Sequence, residues 1–99
     1  MPSKLPPISP GEILNEKFLI PLKLSQNALA RSLGVPPARI NDIVKNGRAI
    51  TADTALRLAR FFDTTPQFWL NLQMRYELEL ALDANTAKIN EIIPLKLAG

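Results

Sequence analysis

The stretch Ser25-Gln26-Asn27-Ala28-Leu29-Ala30-Arg31-Ser32-Leu33-Gly34-Val35-Pro36-Pro37-Ala38-Arg39-Ile40-Asn41-Asp42-Ile43-Val44-Lys45 decides the fold. It reads as two short helices joined by a tight glycine turn. Leu29, Leu33, Ile40 and Ile43 are apolar at helical spacing, and Ala30 is small where the helices must approach closely. Counted from Gln26, the small residue, the glycine and the branched aliphatic fall at the fifth, ninth and fifteenth places. The outer face of the second helix carries Arg39, Asn41, Asp42 and Lys45. This is the pattern of a helix-turn-helix, in which one helix braces on the DNA backbone while the next enters the major groove. DNA binding is the first functional reading it raises.

Outward from this pair the chain reads as further helices. Met1 to Ile8 holds three prolines and is expected to be extended. Ser9-Pro10-Gly11-Glu12 is a helix start, with serine as cap, proline at the first position and glutamate three residues after the cap. That helix is predicted from Pro10 to about Leu19, ended by Pro21, with Leu22 and Leu24 packing beneath the next cap. Ser25 caps the second helix, Gln26 to Leu33, and Pro36 or Pro37 opens the third, which ends near Asn46-Gly47. Thr51 caps the fourth, where Ala55, Leu58, Ala59 and Phe62 make the buried face while Arg57 and Arg60 point outward. Thr65-Pro66 opens a fifth helix running to about Leu82.

The fifth helix carries two apolar stripes. Trp69, Leu72, Tyr76 and Leu80 form one, and Leu70, Met74, Leu78 and Ala81 form another on nearly the opposite side. One stripe suffices to pack a helix on its own domain. The second needs another cover, either the C-terminal tail or a second subunit, and the subunit is the cover expected. The tail from Asp83 to Gly99 fits a short helix over Thr86 to Glu91 followed by an extended segment, Ile92 to Leu97. The organisation predicted is an extended segment at 1–8, a DNA-binding domain at 9–82, and a tail at 83–99 in contact with a dimer partner or another protein.

Composition narrows the function. The 99 residues suit one all-α domain with a modest core. There is no cysteine and no histidine, so disulfides, thiolate metal sites and the commonest general base are all excluded. No cofactor is called for, and no nucleophile–base pair or phosphate loop is present, so an enzyme is the least favoured class. No apolar run approaches the ~20 residues a bilayer requires, and a cytoplasmic protein without membrane contact is expected. The formal net charge of +3 is unevenly spread. Residues 1–48 hold seven Lys/Arg and three Asp/Glu, whereas residues 49–99 hold five and six. The positive half is the half with the helix-turn-helix, as phosphate binding requires.

Within that half each outward residue has a chemistry. Gln26 and Asn27 open the second helix, beside its positively polarised amides, and are placed to bond phosphates. On the third helix Asn41 suits bidentate bonding to adenine, Ala38 a thymine methyl, and Arg39 a guanine or a phosphate. Lys45 and Arg48 suit phosphates beyond the helix end. Asp42 reads as a solvated side chain. Pro36 and Pro37 stand where polar base readers often sit, which narrows direct readout and leaves more to DNA shape.

Several strings resemble the HigA-type antitoxins of the Cro/repressor-like helix-turn-helix superfamily. They are Pro10-Gly11-Glu12-Ile13-Leu14, Leu24-Ser25-Gln26-Asn27-Ala28-Leu29-Ala30, Gly34-Val35-Pro36-Pro37-Ala38-Arg39-Ile40-Asn41, Ile50-Thr51-Ala52-Asp53-Thr54-Ala55-Leu56-Arg57-Leu58-Ala59 and Pro66-Gln67-Phe68-Trp69-Leu70-Asn71-Leu72-Gln73. The likeness spans roughly residues 8–82. It implies a five-helix antitoxin that dimerises, binds an inverted repeat in its own promoter and masks a small RNA-cleaving toxin. By matching position the DNA contacts fall on Gln26, Asn27, Ala38, Arg39, Asn41, Lys45 and Arg48. A stand-alone or phage-type repressor without a toxin is the rival reading, and a protein-interaction module with no DNA target is a third.

Overall fold

Among the described residues five helices build the fold, and most of them start on a side chain that caps the first free amides. The computed structural model describes residues 6–96, among which no strand occurs. The first helix, α1, spans residues 10–22. It is α-helical over Pro10–Ile13, π-helical over Leu14–Leu19 and α-helical again over Ile20–Leu22. Ser9 Oγ accepts the Glu12 N–H at 3.2 Å, as the serine cap requires.

The helix does not stop before Pro21. The Ile20 N–H bonds to the Asn15 carbonyl, five residues back. This wider turn shifts the carbonyl ladder that a proline ring would otherwise meet, so Pro21 sits inside the last turn. Lys23, at φ 54°, ends the helix instead. Leu22 is correspondingly exposed, and of the expected pair only Leu24 packs against the core. Of the extended N-terminal segment, residues 1–5 lie outside the described residues, and residues 6–8 carry no regular structure.

Helix α2 (Gln26–Leu33) is capped by Ser25 Oγ, which accepts the Ala28 N–H at 3.0 Å. Gly34 takes φ 71°, and the N–H groups of Gly34 and Val35 return to the carbonyls of Arg31 and Ala30. A residue with a Cβ resists that left-handed geometry, which is why the turn reads as a glycine turn. Helix α3 (Pro37–Asn46) opens at the second proline and closes at Gly47, also at φ 71°. Helix α4 (Ala52–Phe62) has its Thr51 cap, and Asp53 lies in its first turn.

Helix α5 (Pro66–Asn90) is one continuous helix of 25 residues. It passes Leu82 and absorbs the short helix expected over Thr86 to Glu91. No glycine or proline interrupts the chain from Gln67 to Ile93, so nothing halts propagation. Residues 93–96 carry no regular structure, and Leu97 lies outside the described residues.

The core gathers Leu14, Leu29, Ala30, Leu33, Ile40, Ile43, Ile50, Ala55, Leu58 and Trp69. Trp69 is fully buried, and its Nε1–H donates to Thr64 Oγ1 at 2.8 Å. Phe18 of α1 packs on Phe62 and Trp69, with ring centroids 4.8 and 4.9 Å apart. Of the four aromatics clustered late in the sequence, only Trp69 is buried; Phe62 packs partly against the core, while Phe61 and Phe68 reach solvent.

Candidate nucleic-acid interface

Helix α3 is held by one side and open on the other. Ile40 and Ile43 are fully buried, whereas Ala38 and Lys45 are exposed and Arg39, Asn41 and Asp42 are half-exposed. The helix is fixed from below as well. Gly11 is buried where α1 meets the end of α3, and a Cβ there would run into the Ile43 carbonyl. The backbone of α1 therefore touches the backbone of α3. No motif in the sequence pointed to this contact, although the unexplained glycine inside a helix start was a signal.

The predicted residues differ in how free they are. Asn41 makes no side-chain hydrogen bond among the described residues, so its amide remains available to a base edge. Gln26, at the first position of α2, keeps its Oε1 buried without a partner. An acceptor left unpaired costs about 1–3 kcal/mol, and since a phosphate offers no donor, only the Nε2 amide of Gln26 can bond one. Asn27 is exposed beside it.

Arg39 is held. Its Nη1 donates to Asp53 Oδ2 at 2.8 Å. The same oxygen accepts from Arg57 Nε at 3.0 Å, and Arg57 Nη1 donates to the Leu33 carbonyl at 2.8 Å. Arg57 is exposed, as expected. Its guanidinium also reaches the carbonyl that ends α2, because it supplies enough donors to bond a carboxylate and a carbonyl together. One carboxylate thus links α3 to α4, and Arg57 extends the link to α2. The Arg57 and Arg39 hydrogen bonds, in that order, hold the Asp53 carboxyl below its ordinary range. Neither Asp53 nor Arg57 was singled out as functional from sequence.

The far end of α3 is ordered by Asp42. Its Oδ1 accepts from Asn46 Nδ2 at 3.0 Å, and Oδ2 lies 3.8 Å from Arg48 Nη1. The Arg48 N–H returns to the Asp42 carbonyl at 3.1 Å. Asp42 is therefore more than a solvated side chain, since it fixes where Arg48 leaves the helix. Behind this loop Gln73 of α5 is buried, with Oε1 accepting the Ile50 N–H at 2.8 Å and Nε2 donating to Glu77 at 2.7 Å. Gln73 belongs to neither apolar stripe of α5. Its burial follows from the unpaired backbone N–H of the α3–α4 loop, which no apolar side chain can satisfy.

On α5 the first stripe packs at Trp69, Leu72 and Tyr76, and Leu80 is exposed where the helix runs clear of the body. On the second stripe Met74 is 64% exposed and Leu78 59% exposed, with Ala81 exposed beyond them. Leu70 is partly buried against the chain's own core. No helix is long and apolar enough to cross a membrane among the described residues.

Residues 16–69 match the helix-turn-helix family model. The chain is 53% identical over 93 residues to virulence-associated protein I of Dichelobacter nodosus, covering 94% of this chain and 85% of that protein. It is 38% identical to antitoxin HigA-1 of Vibrio cholerae, covering 77% of this chain and 71% of that one. Among solved structures, Pseudomonas aeruginosa antitoxin HigA with the higBA promoter superposes with a TM-score of 0.86 at 52% identity, over 91% of this chain and 99% of that chain.

Proposed function

From the premise that the chain belongs to the HigA-type antitoxins of the helix-turn-helix family, we propose that it binds its own operator as a homodimer, represses transcription and neutralises a toxin. The observation that carries the DNA part is the open face of α3, whose opposite face is locked into the core by Ile40, Ile43 and the Gly11 contact. A rigid helix with a polar, cationic outer face is what a major groove accepts. Asn41 and Arg39 read bases in this account, with Ala38 against a thymine methyl. Gln26 and Asn27 donate to a phosphate at the start of α2, and Lys45 and Arg48 contact phosphates beyond α3.

A homodimer explains the second stripe of α5. Met74 and Leu78 with Ala81 form an apolar face that a second copy covers, and Leu70 joins it at the edge of the domain. A two-fold dimer would place two α3 helices against the two halves of an inverted repeat. The toxin, of the RNA-cleaving class that the family resemblance implies, is masked by direct binding in the cytoplasm.

Co-expression with the neighbouring gene product tests the antitoxin part. Growth rescue together with co-purification is the expected result. Repression of the upstream region without either would leave a repressor that has no toxin partner.

A further inference from the structure

Arg39 occupies the first turn of α3, where the helix amides are positively polarised and repel a cation. Left alone, a long guanidinium side chain there would swing away and sample many rotamers. It is instead fastened by one nitrogen to Asp53, itself at the favourable acidic position in the first turn of α4. The guanidinium is planar, so fixing Nη1 sets the direction in which its other donors point. Asp53 is in turn steadied by Arg57, which is anchored on the Leu33 carbonyl.

We propose that Asp53 is a positioning residue for DNA readout, holding Arg39 in the orientation in which its remaining N–H groups meet a base edge. The proposal rests on the reading of α3 as the recognition helix. It adds a residue that touches no nucleotide yet helps decide which base is preferred. An exposed ion pair contributes little to stability by itself, so the effect is in readout and not in folding. The carboxylate also repels phosphates. Its removal therefore acts with opposite signs on specific and on non-specific binding, which a purely structural role would not do.

The test is a double-mutant cycle with Asp53→Asn and Arg39→Ala, measured by fluorescence anisotropy against the chain's own upstream duplex and an unrelated duplex of equal length. Asp53→Asn alone is expected to weaken binding to the upstream duplex about tenfold while binding to the unrelated duplex stays equal or tightens. In the Arg39→Ala background the same change is expected to cost nothing further. Equal losses in both backgrounds would overturn the proposal, because the effect would then not pass through Arg39. So would unchanged specific binding for Asp53→Asn in a protein that Arg39→Ala weakens. If Arg39→Ala itself leaves specific binding intact, the reading of Arg39 as a base reader fails first, a distinguishable result. Thermal melts confirm folding, and Asp53→Ser repeats the cycle with a second side chain.

Discussion

Gly11 sits where the first turn of α1 meets the end of α3, and there is no space for a methyl group against the Ile43 carbonyl. Gly11→Ala should force the two helices apart and destabilise the fold by about 1–3 kcal/mol, the usual range for overpacking, as read by urea denaturation. Its DNA affinity should fall more than that of an equally destabilised core variant, since the displaced element is the helix proposed to enter the major groove. Asp53 makes a prediction of the opposite kind, about what does not change. Its carboxyl is held below the ordinary range by Arg57 and Arg39. A depressed carboxyl contributes stability that is complete above its unfolded value of about 3.9 and is lost as pH falls through the folded value. The chain has no histidine or cysteine, the side chains whose ordinary pKa values lie nearest neutrality. DNA affinity should therefore stay level between about pH 5.5 and 8.5 at fixed salt, and the Asp53 network should weaken only below about pH 4.

At the scale of elements, the turn between α2 and α3 and the long α5 carry different lessons. The turn was legible because each requirement leaves a mark. Ser25 caps, Gly34 takes a left-handed φ, and Leu29, Leu33, Ile40 and Ile43 keep the apolar period. Helix ends governed by tertiary context were not. Pro21 is a helix breaker by local rule, yet a π turn upstream accommodates it, and no sequence signal announces a π turn. Gln73 was hidden for a related reason. A buried glutamine is explained only by the partner it satisfies, here the Ile50 N–H, which lies 23 residues away in sequence. Gln73→Leu should leave that N–H buried and unpaired, costing about 1–3 kcal/mol in chemical denaturation. Arg57 and Asp53 escaped the sequence reading because their partners come from three helices at once. The outward face of α3 needed only helical spacing.

The whole molecule is elongated. Its radius of gyration is 17.1 Å, against ~13 Å for a compact domain of similar length, with extents of 55 × 35 × 21 Å. The end of α5 accounts for this, running past the body with Leu78, Leu80, Leu82 and Ile89 exposed. Apolar surface of this kind on a small chain favours association. Sedimentation should give twice the monomer mass at micromolar concentration, and Leu78→Glu should return the mass of one chain with its melting temperature little changed. A wild-type monomer would remove the basis for a two-fold operator complex.

We propose above that α3 reads DNA through Arg39 and Asn41. It is tested most directly by comparing wild type with the Arg39→Ala/Asn41→Ala double variant on the chain's own upstream duplex, titrated by anisotropy across a salt series. Each lost base contact should cost about 1–3 kcal/mol, so the variant should fall toward the affinity for unrelated DNA. Its salt dependence should stay close to wild type, because Lys45 and Arg48 still neutralise phosphates. A double variant that binds the upstream duplex as tightly and as selectively as wild type would contradict the account.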